Sequence, residues 1–457
     1  MSILDVLEPV LRLMPEVKTP ETLPSLQKRL LWTAAALLFF FVMGQIALLG
    51  IDTSSAQAKQ LQAIQIILAS PLGTLISAGI GPIVLASIIL QLLVGGGILK
   101  VDLSQPADKA KFTQLQKLLA IILSFFEAGA YTGFGMFPGF IVPLSGMVAI
   151  VILQIAFGSI ILMYLDELVT KYGIGSGIGL FIAAGVAQHI LWTIFRPANP
   201  LSGDLSGGLL FQVISTVGQG QIFQALILFS PVIFTVIVFF VVVFAEGMHV
   251  NIPLAYGVRG AGGRYPVKLL YVSNIPVILA AALFANFQLW AALTEKIPFI
   301  GSFIGSLAAI TRSPPNLIFT IMDKGFMVAL PDIGLALAYL IVLIATCVIF
   351  GKLWVELGGQ GSGKIAEQIA DSGMYIPGFR KDKRIIQEVL DRYIPTIVIL
   401  GSAFVGLLAG AADLTGALGT GTGILLTVGI IYKLYEEMEK AQLFAGNDML
   451  KKFIGGS

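Results

Sequence analysis

The chain has 457 residues, 56% of them hydrophobic and 12% charged, with a mean hydropathy of +0.91. Ordinary soluble domains carry about 25% charged residues, so this balance excludes a soluble globular protein and leaves a polytopic membrane protein. The net charge is only +2, one cysteine excludes an internal disulfide, and two histidines far apart offer no metal-ligand spacing.

Residues 1–29 form a cytosolic amphipathic segment, MSILDVLEPVLRLMPEVK followed by Lys28 and Arg29, expected to lie on the inner membrane surface. It lacks the basic start, short apolar stretch and small-residue cleavage site of a signal peptide. Apolar segments of spanning length then occur near 30–50, 73–95, 114–136, 143–165, 174–195, 222–245, 268–291, 331–356, 394–413 and 416–436. Segment 298–322, interrupted by glycines, Arg312 and the Pro314–Pro315 pair, reads as part of a long external loop.

An even number of spans puts both termini on one side, and basic residues say which. With the N-terminus in the cytosol, only Lys59, Arg196, Lys296, Arg312 and Lys324 of the 28 basic residues fall outside. Adding or losing one span would scramble that pattern. The ten-span arrangement with cytosolic termini in a cell membrane therefore rests on residues that did not define the spans.

Within 60–97 the apolar run breaks and restarts. Residues 60–70 would make a helix about 16 Å long, too short to cross a hydrocarbon core of about 30 Å, whereas 73–94 can cross it. Half-length helices joined by irregular backbone survive at membrane depth only where they are buried in protein or line a cavity. The expectation is a pore or transport cavity with a movable short helix at its mouth, hinged at Pro71–Gly73. A polar, Gly-rich linker at 197–221 separates an N-terminal half, 30–196, from a C-terminal half, 222–438, followed by a cytosolic tail, 439–457. Five spans in each half is an odd number, so the halves enter the membrane in opposite senses, as inverted repeats do.

The string GGQGSGK at 358–364 resembles a phosphate loop but fails at Ile365, where magnesium needs a hydroxyl. More informative are the two cytosolic loops, 246–268 and 357–393. Arg380, Lys381, Lys383, Arg384 and Arg392 exceed what topology requires and suit anionic headgroups, an acidic protein or ribosomal RNA phosphate. Glu127 is the one acid well inside a span, while Asp166, Glu167, Glu246, Glu356, Asp413 and Glu436 sit at span ends. An ion-coupled transporter would place several ligands at midplane. No nucleophile and base set appears, so the chain is not expected to be an enzyme, and no cofactor is expected. Ile80 and Val84, and Ile174 and Ile178, are four apart and share a helix face. Such pairs fit an apolar constriction that gates by dewetting, and they fit ordinary helix packing equally well.

The strings GTLISAGIGPIVLASIILQLLVGGG at 73–97, LQIAFGSIILMYLDELVTKYGIGSGIGLFIAAGV at 153–186, YVSNIPVILAAALFANFQLW at 271–290 and GALGTGTGILLTVGIIYKLYE at 416–436 closely resemble the SecY family, in its archaeal form. The resemblance covers essentially all ten spans. It implies an all-α protein of ten transmembrane helices, in two inverted five-helix halves around an hourglass pore. It implies a ring at Ile80, Val84, Ile174, Ile178, Ile278 and Leu426, and a plug carrying Leu61, Ile64, Ile67 and Leu68. It implies a lateral gate between the second and third spans and the seventh and eighth, with Gln91 and Asn274 as its polar members. Ribosome or motor binding would fall to Arg380, Lys381, Lys383 and Arg384, with Arg259 and Arg264 in the other loop. That other loop has His249, Val250 and Asn251 where relatives can carry a denser basic run, which ranks the 375–392 loop first. Implied partners are SecE/gamma and small beta subunits, the ribosome with its nascent chain, signal sequences and translocating polypeptides, the signal recognition particle receptor, and membrane lipids. The resulting expectation is a passive channel for unfolded polypeptide. A secondary transporter with inverted repeats is the alternative, and a membrane-embedded enzyme comes third.

Overall fold

The computed structural model describes residues 9, 14–22, 24–52, 73–95, 98–99, 106–133, 141–144, 146–197, 207–256, 261–270, 272, 274–294, 297, 299–314, 317, 320–321, 325–357, 360–371, 374–375 and 383–446. The expected plug, Leu61, Ile64, Ile67 and Leu68, and the basic residues Arg259, Arg380 and Lys381 lie outside the described residues.

Every expected span is occupied by a helix. The first half runs α1 Leu26–Gln45, α2 Gly81–Gly95, α3 Pro106–Thr132, α4 Val148–Tyr172 and α5 Gly177–Phe195, and α6 Leu209–Gly218 lies in the linker. The second half runs α7 Ile222–Gly247, α8 Ile275–Thr294, the short α9 Ile300–Ile310, α10 Phe326–Leu357, the short α11 Ser362–Asp371, α12 Lys383–Leu414 and α13 Gly421–Gly446. Among the described residues, α1, α4, α5, α7, α10 and α12 are long and apolar enough to cross a membrane.

Helix ends depart from the apolar segments where backbone chemistry overrides hydropathy. Helix α1 stops at Gln45, and the chain continues extended. There the Leu48 N–H donates to Gly73 O and the Leu75 N–H to Ile46 O, both at 2.9 Å, and strand β1 Ile51–Asp52 pairs with β2 Val142–Pro143. Helices α2 and α8 begin well inside their apolar segments, each with proline, Pro82 or Pro276, in its first turn, where the missing N–H costs nothing. The segment 298–322 is not wholly loop: α9 forms ahead of Arg312 and Pro314.

The all-α expectation also needs an addition. Strands β3 His249–Tyr256 and β4 Ala261–Lys268 form an antiparallel hairpin, and β5 Met374–Tyr375 pairs with β3, giving the order β4-β3-β5. Val250, Ile252, Leu254 and Tyr256 alternate with period two, the pattern of a strand.

The two halves share one packing plan. In the first, α2 packs on α3, α3 on α4, α4 on α5, α1 on α4 and α5, and α2 touches α4. In the second, α8 packs on α10, α10 on α12, α12 on α13, α7 on α12 and α13, and α8 touches α12. Equivalent helices also meet across the molecule, α5 on α13 along one seam and α2 on α8 along another, where α2 touches α10 as well. Elements expected on one side of the membrane contact one another. Lys117 pairs with Glu167 at 2.8 Å, Arg29 Nε donates to Gly173 O at 2.8 Å, and Lys268 pairs with Glu436.

Candidate functional site

The packing plan exposes a local repeat. LISAGIGPIVLAS at 75–87 aligns without gaps on LLYVSNIPVILAA at 269–281, matching Leu75 with Leu269, Pro82 with Pro276, Leu85 with Leu279 and Ala86 with Ala280. The backbone follows the same register: the Val84 N–H donates to Ile80 O at 3.0 Å, and the Ile278 N–H to Asn274 O at 3.1 Å. Each entry is also held by a glycine of the fourth helix of its half. A Cβ on Gly158 of α4 would lie 1.8 Å from Leu75 O, and one on Gly401 of α12 would lie 2.3 Å from Leu269 O. Val84 and Ile278 therefore occupy equivalent places, as do Ile80 and Asn274.

Of the six expected ring residues, five join the central hydrophobic cluster: Ile80 and Leu426 as buried members, Val84, Ile178 and Ile278 half-buried against it. Ile174 is buried too but lies in the turn between α4 and α5, where its N–H donates to Thr33 Oγ1 of α1 at 3.0 Å. Val84, Ile178, Ile278 and Leu426 come from α2, α5, α8 and α13, the helices that meet across the two seams, and Ile80 immediately precedes α2.

The two expected gate residues bond to different helices. Gln91 Nε2 donates to Ser87 Oγ one turn back on α2, at 3.0 Å. Asn274 is buried and turns toward α13, where Nδ2 donates to Leu425 O at 2.9 Å. Gly429 makes room for it, since a Cβ there would lie 1.7 Å from Asn274 Nδ2. Asn274 Oδ1 and Glu246 Oε1 are buried with no hydrogen-bond partner among the described residues. Together they make a polar patch between α7, α8 and α13. Asn274 and Glu246 stand out in the sequence as polar residues at span ends, and Gly429 inside an apolar run is the sign that they meet. Glu127 on α3 and Asn286 on α8 are further buried polar side chains.

The described parts of the loops 246–268 and 357–393 form one platform rather than two separate basic segments. Strand β5 joins the second loop to the hairpin of the first, and α11 packs on α12. Ile365, Ala366 and Ile369 of α11, Ile386, Leu390 and Ile394 of α12, Val267 of β4 and Val355 of α10 make a hydrophobic core of their own. Lys383 pairs with Glu367 at 2.7 Å across α11 and α12, and its ammonium holds that carboxyl below the usual carboxylate range. Both partners are about half exposed, so the pair contributes little stability. Arg384 is exposed on the first turn of α12, and Arg264 lies on β4 opposite Pro253 of β3. Lys268, at the base of the hairpin, lies over the Tyr432 ring of α13, 5.2 Å from its centroid. Among the described residues no cluster of metal-ligating side chains occurs.

A mostly helical, multi-span membrane protein whose two halves pack alike, with aliphatic side chains of both in one hydrophobic cluster, belongs to the class of membrane channels. The chain belongs to the SecY family, whose model matches residues 74–435. It is 46% identical to the protein translocase subunit SecY of Methanocaldococcus jannaschii over 98% of this chain and 98% of that one. Among solved structures it resembles one described as "The plug domain of the SecY protein stablizes the closed state of the translocation channel and maintains a membrane seal", with a TM-score of 0.78, 44% identity and coverage of 96% of this chain and 97% of that one. It also resembles Sec61 in the canine ribosome-channel complex from the endoplasmic reticulum, with a TM-score of 0.77, 44% identity and coverage of 96% and 97%.

Proposed function

We propose that this chain is the central, non-catalytic subunit of a channel that carries unfolded secretory polypeptides across the cell membrane and releases transmembrane segments sideways into lipid. The observation that supports the reading is that Ile80, Val84, Ile178, Ile278 and Leu426 all belong to or pack against one hydrophobic cluster that draws on both halves, with Val84 and Ile278 at equivalent positions on helices that meet across the seams. Such a constriction closes by dewetting and yields to an extended chain without any ligand chemistry. All ten long helices span the membrane with both termini in the cytosol, and the segment around Leu61, Ile64, Ile67 and Leu68 is the plug. Gln91 and Asn274 are polar members of the gate formed by α2 and α3 with α8 and α10. A signal sequence leaves through that gate because each methylene reaching lipid gains about 0.8 kcal/mol.

Ribosome or motor binding falls to the platform, through Arg380, Lys381, Lys383 and Arg384 with Arg259 and Arg264. The resemblance to a ribosome-bound Sec61 supports a ribosome as the driving partner. SecE/gamma and small beta subunits, and lipid, cover apolar faces such as that of α1, where Leu31 is 68% and Leu38 69% exposed. The signal recognition particle receptor delivers the nascent chains.

The decisive experiment stalls a secretory chain in the channel and tests crosslinking to cysteines placed at Ile80 and Ile278. Both positions should capture the chain, and absence of both adducts refutes the reading, since a transporter of small solutes would give neither. A second measurement ranks the loops. Arg380→Glu should weaken ribosome binding about tenfold, as loss of a close phosphate contact does, and Arg264→Glu clearly less. Equal or reversed losses in a binding titration would reject that ranking.

A further inference from the structure

Two carboxylates sit at equivalent helix entrances. In the first half Asp166, near the end of α4, accepts the Ile178 N–H at 2.7 Å, with the Gly177 amide and the Ser176 hydroxyl turned to the same group. In the second half Asp413, near the end of α12, accepts the Gly421 N–H at 2.6 Å. The chain enters both helices by matching strings, GSGIG at 175–179 and GTGTG at 419–423, whose leading glycines have φ of +74° and +81°. Neither entrance has room for a side chain. A Cβ on Gly177 would lie 2.5 Å from Asp166 Cα, and one on Gly421 would lie 2.1 Å from Ala409 O.

The first clamp shows what holding the fifth helix of a half requires: one carboxylate aimed at its first amides. The second clamp does more. Asp413 Oδ2 accepts the hydroxyl of Tyr339, on α10, at 2.7 Å. Tyr339 is buried, and its ring packs edge-on against Phe284 of α8, with centroids 6.3 Å apart and planes at 60°. One side chain thus ties α10 to α12 and α13 and holds α8 in the same knot. Helices α8 and α10 both pack on α2 across the seam between the halves.

We infer that the Tyr339–Asp413 hydrogen bond is a latch that keeps α8 and α10 seated against α12 and α13, and that it is released when the seam with α2 opens to admit a hydrophobic segment. The latch rests on the channel reading above, with this seam as the lateral gate. Tyr339 is then a positioning residue: buried on α10 with its hydroxyl on Asp413, it sets how readily the gate helices move. The duplicated clamp explains why Asp413 is needed for the fold, and the extra bond to Tyr339 is the part left for gating.

Tyr339→Phe keeps the ring on Phe284 and removes only the hydroxyl. Purified with its partner subunits and reconstituted in vesicles, that variant should show about fivefold more spontaneous ion conductance than the parent, the order expected for one buried hydrogen bond. It should also translocate a reporter whose signal sequence has been weakened. Asp166→Asn, which perturbs the clamp without the gate bond, should lower thermal stability while changing conductance less than about twofold. Parent-like conductance and signal selectivity in a folded Tyr339→Phe channel overturn the latch. So does an equal rise in Asp166→Asn, which would mark a general loosening. A variant of the ring residues in the same vesicles separates the two ideas. If it raises conductance and Tyr339→Phe does not, the latch alone fails. If neither conducts, the channel reading falls and the latch with it.

Discussion

Alanine at Gly158 is expected to destabilise the protein by about 3 kcal/mol or more, the upper range for overpacking a close contact. The added methyl carbon would stand 1.8 Å from the carbonyl oxygen of Leu75, a backbone atom that no rotamer change can move. That carbonyl is fixed from the other side, because the Leu75 N–H is bonded to Ile46 O and the neighbouring Gly73 O to the Leu48 N–H. Helix α4 would have to retreat, yet it is packed on α1, α3 and α5. Gly401→Ala should behave alike, since its methyl would meet Leu269 O at 2.3 Å in the equivalent place of the second half. Gly334→Ala is the contrast: it lies within α10 with nothing within 4 Å of the new carbon. It should be neutral or stabilise by up to about 1 kcal/mol through helix propensity. Thermal unfolding of the purified complex in detergent measures all three. Similar midpoints for Gly158→Ala and Gly334→Ala would show that the two glycines hold no such contact.

Which of these features could be read from the sequence depends on the physics that encodes each one. The spans were legible because the cost of polar groups in hydrocarbon is large and is paid residue by residue along the run. Their ends were less so, because at Gly81–Pro82 and Ile275–Pro276 the backbone decides where a helix begins while hydropathy continues unchanged. The local repeat is faint in the sequence for a related reason. What the halves share is a proline at a helix start, a glycine facing a carbonyl and a carboxylate facing an amide. The side chains around those points diverged, so that Ile80 stands where the other half has Asn274. The ring residues could be named from the resemblance but not from spacing, since two aliphatics four apart look the same in any packed helix. The platform is only half legible in the sequence. Its basic residues stood out, whereas the stripe of Ile365 and Ile369 against Ile386, Leu390 and Ile394 was hidden among charges, and the hairpin depended on an alternation only eight residues long.

Replacing Ile80, Val84, Ile178 and Ile278 together by glycine should raise ion leakage through reconstituted channels at least tenfold, because the barrier to ions in an apolar constriction is the free energy of keeping water there. Ile80 just ahead of α2, Val84 of α2, Ile178 of α5 and Ile278 of α8 share one hydrophobic cluster that draws on both halves, and α13 adds Leu426 to it. Their removal leaves a gap wide enough to hold water, and a hydrated path conducts. Three of the four, Val84, Ile178 and Ile278, are only half-buried, so their loss costs less packing than four core deletions would. The glycines themselves cost about 1 kcal/mol each within a helix, so thermal unfolding has to accompany the conductance. Ile174→Gly provides the internal standard. Ile174 is buried in the turn before α5, outside the cluster, with its amide on Thr33. Its loss should leave the seal nearly intact, with leakage rising less than about twofold. If the quadruple variant folds and remains as tight as the parent, the constriction is formed elsewhere; if Ile174→Gly alone leaks as much, the seal sits at the turn before α5, and the cluster between the halves is ordinary packing.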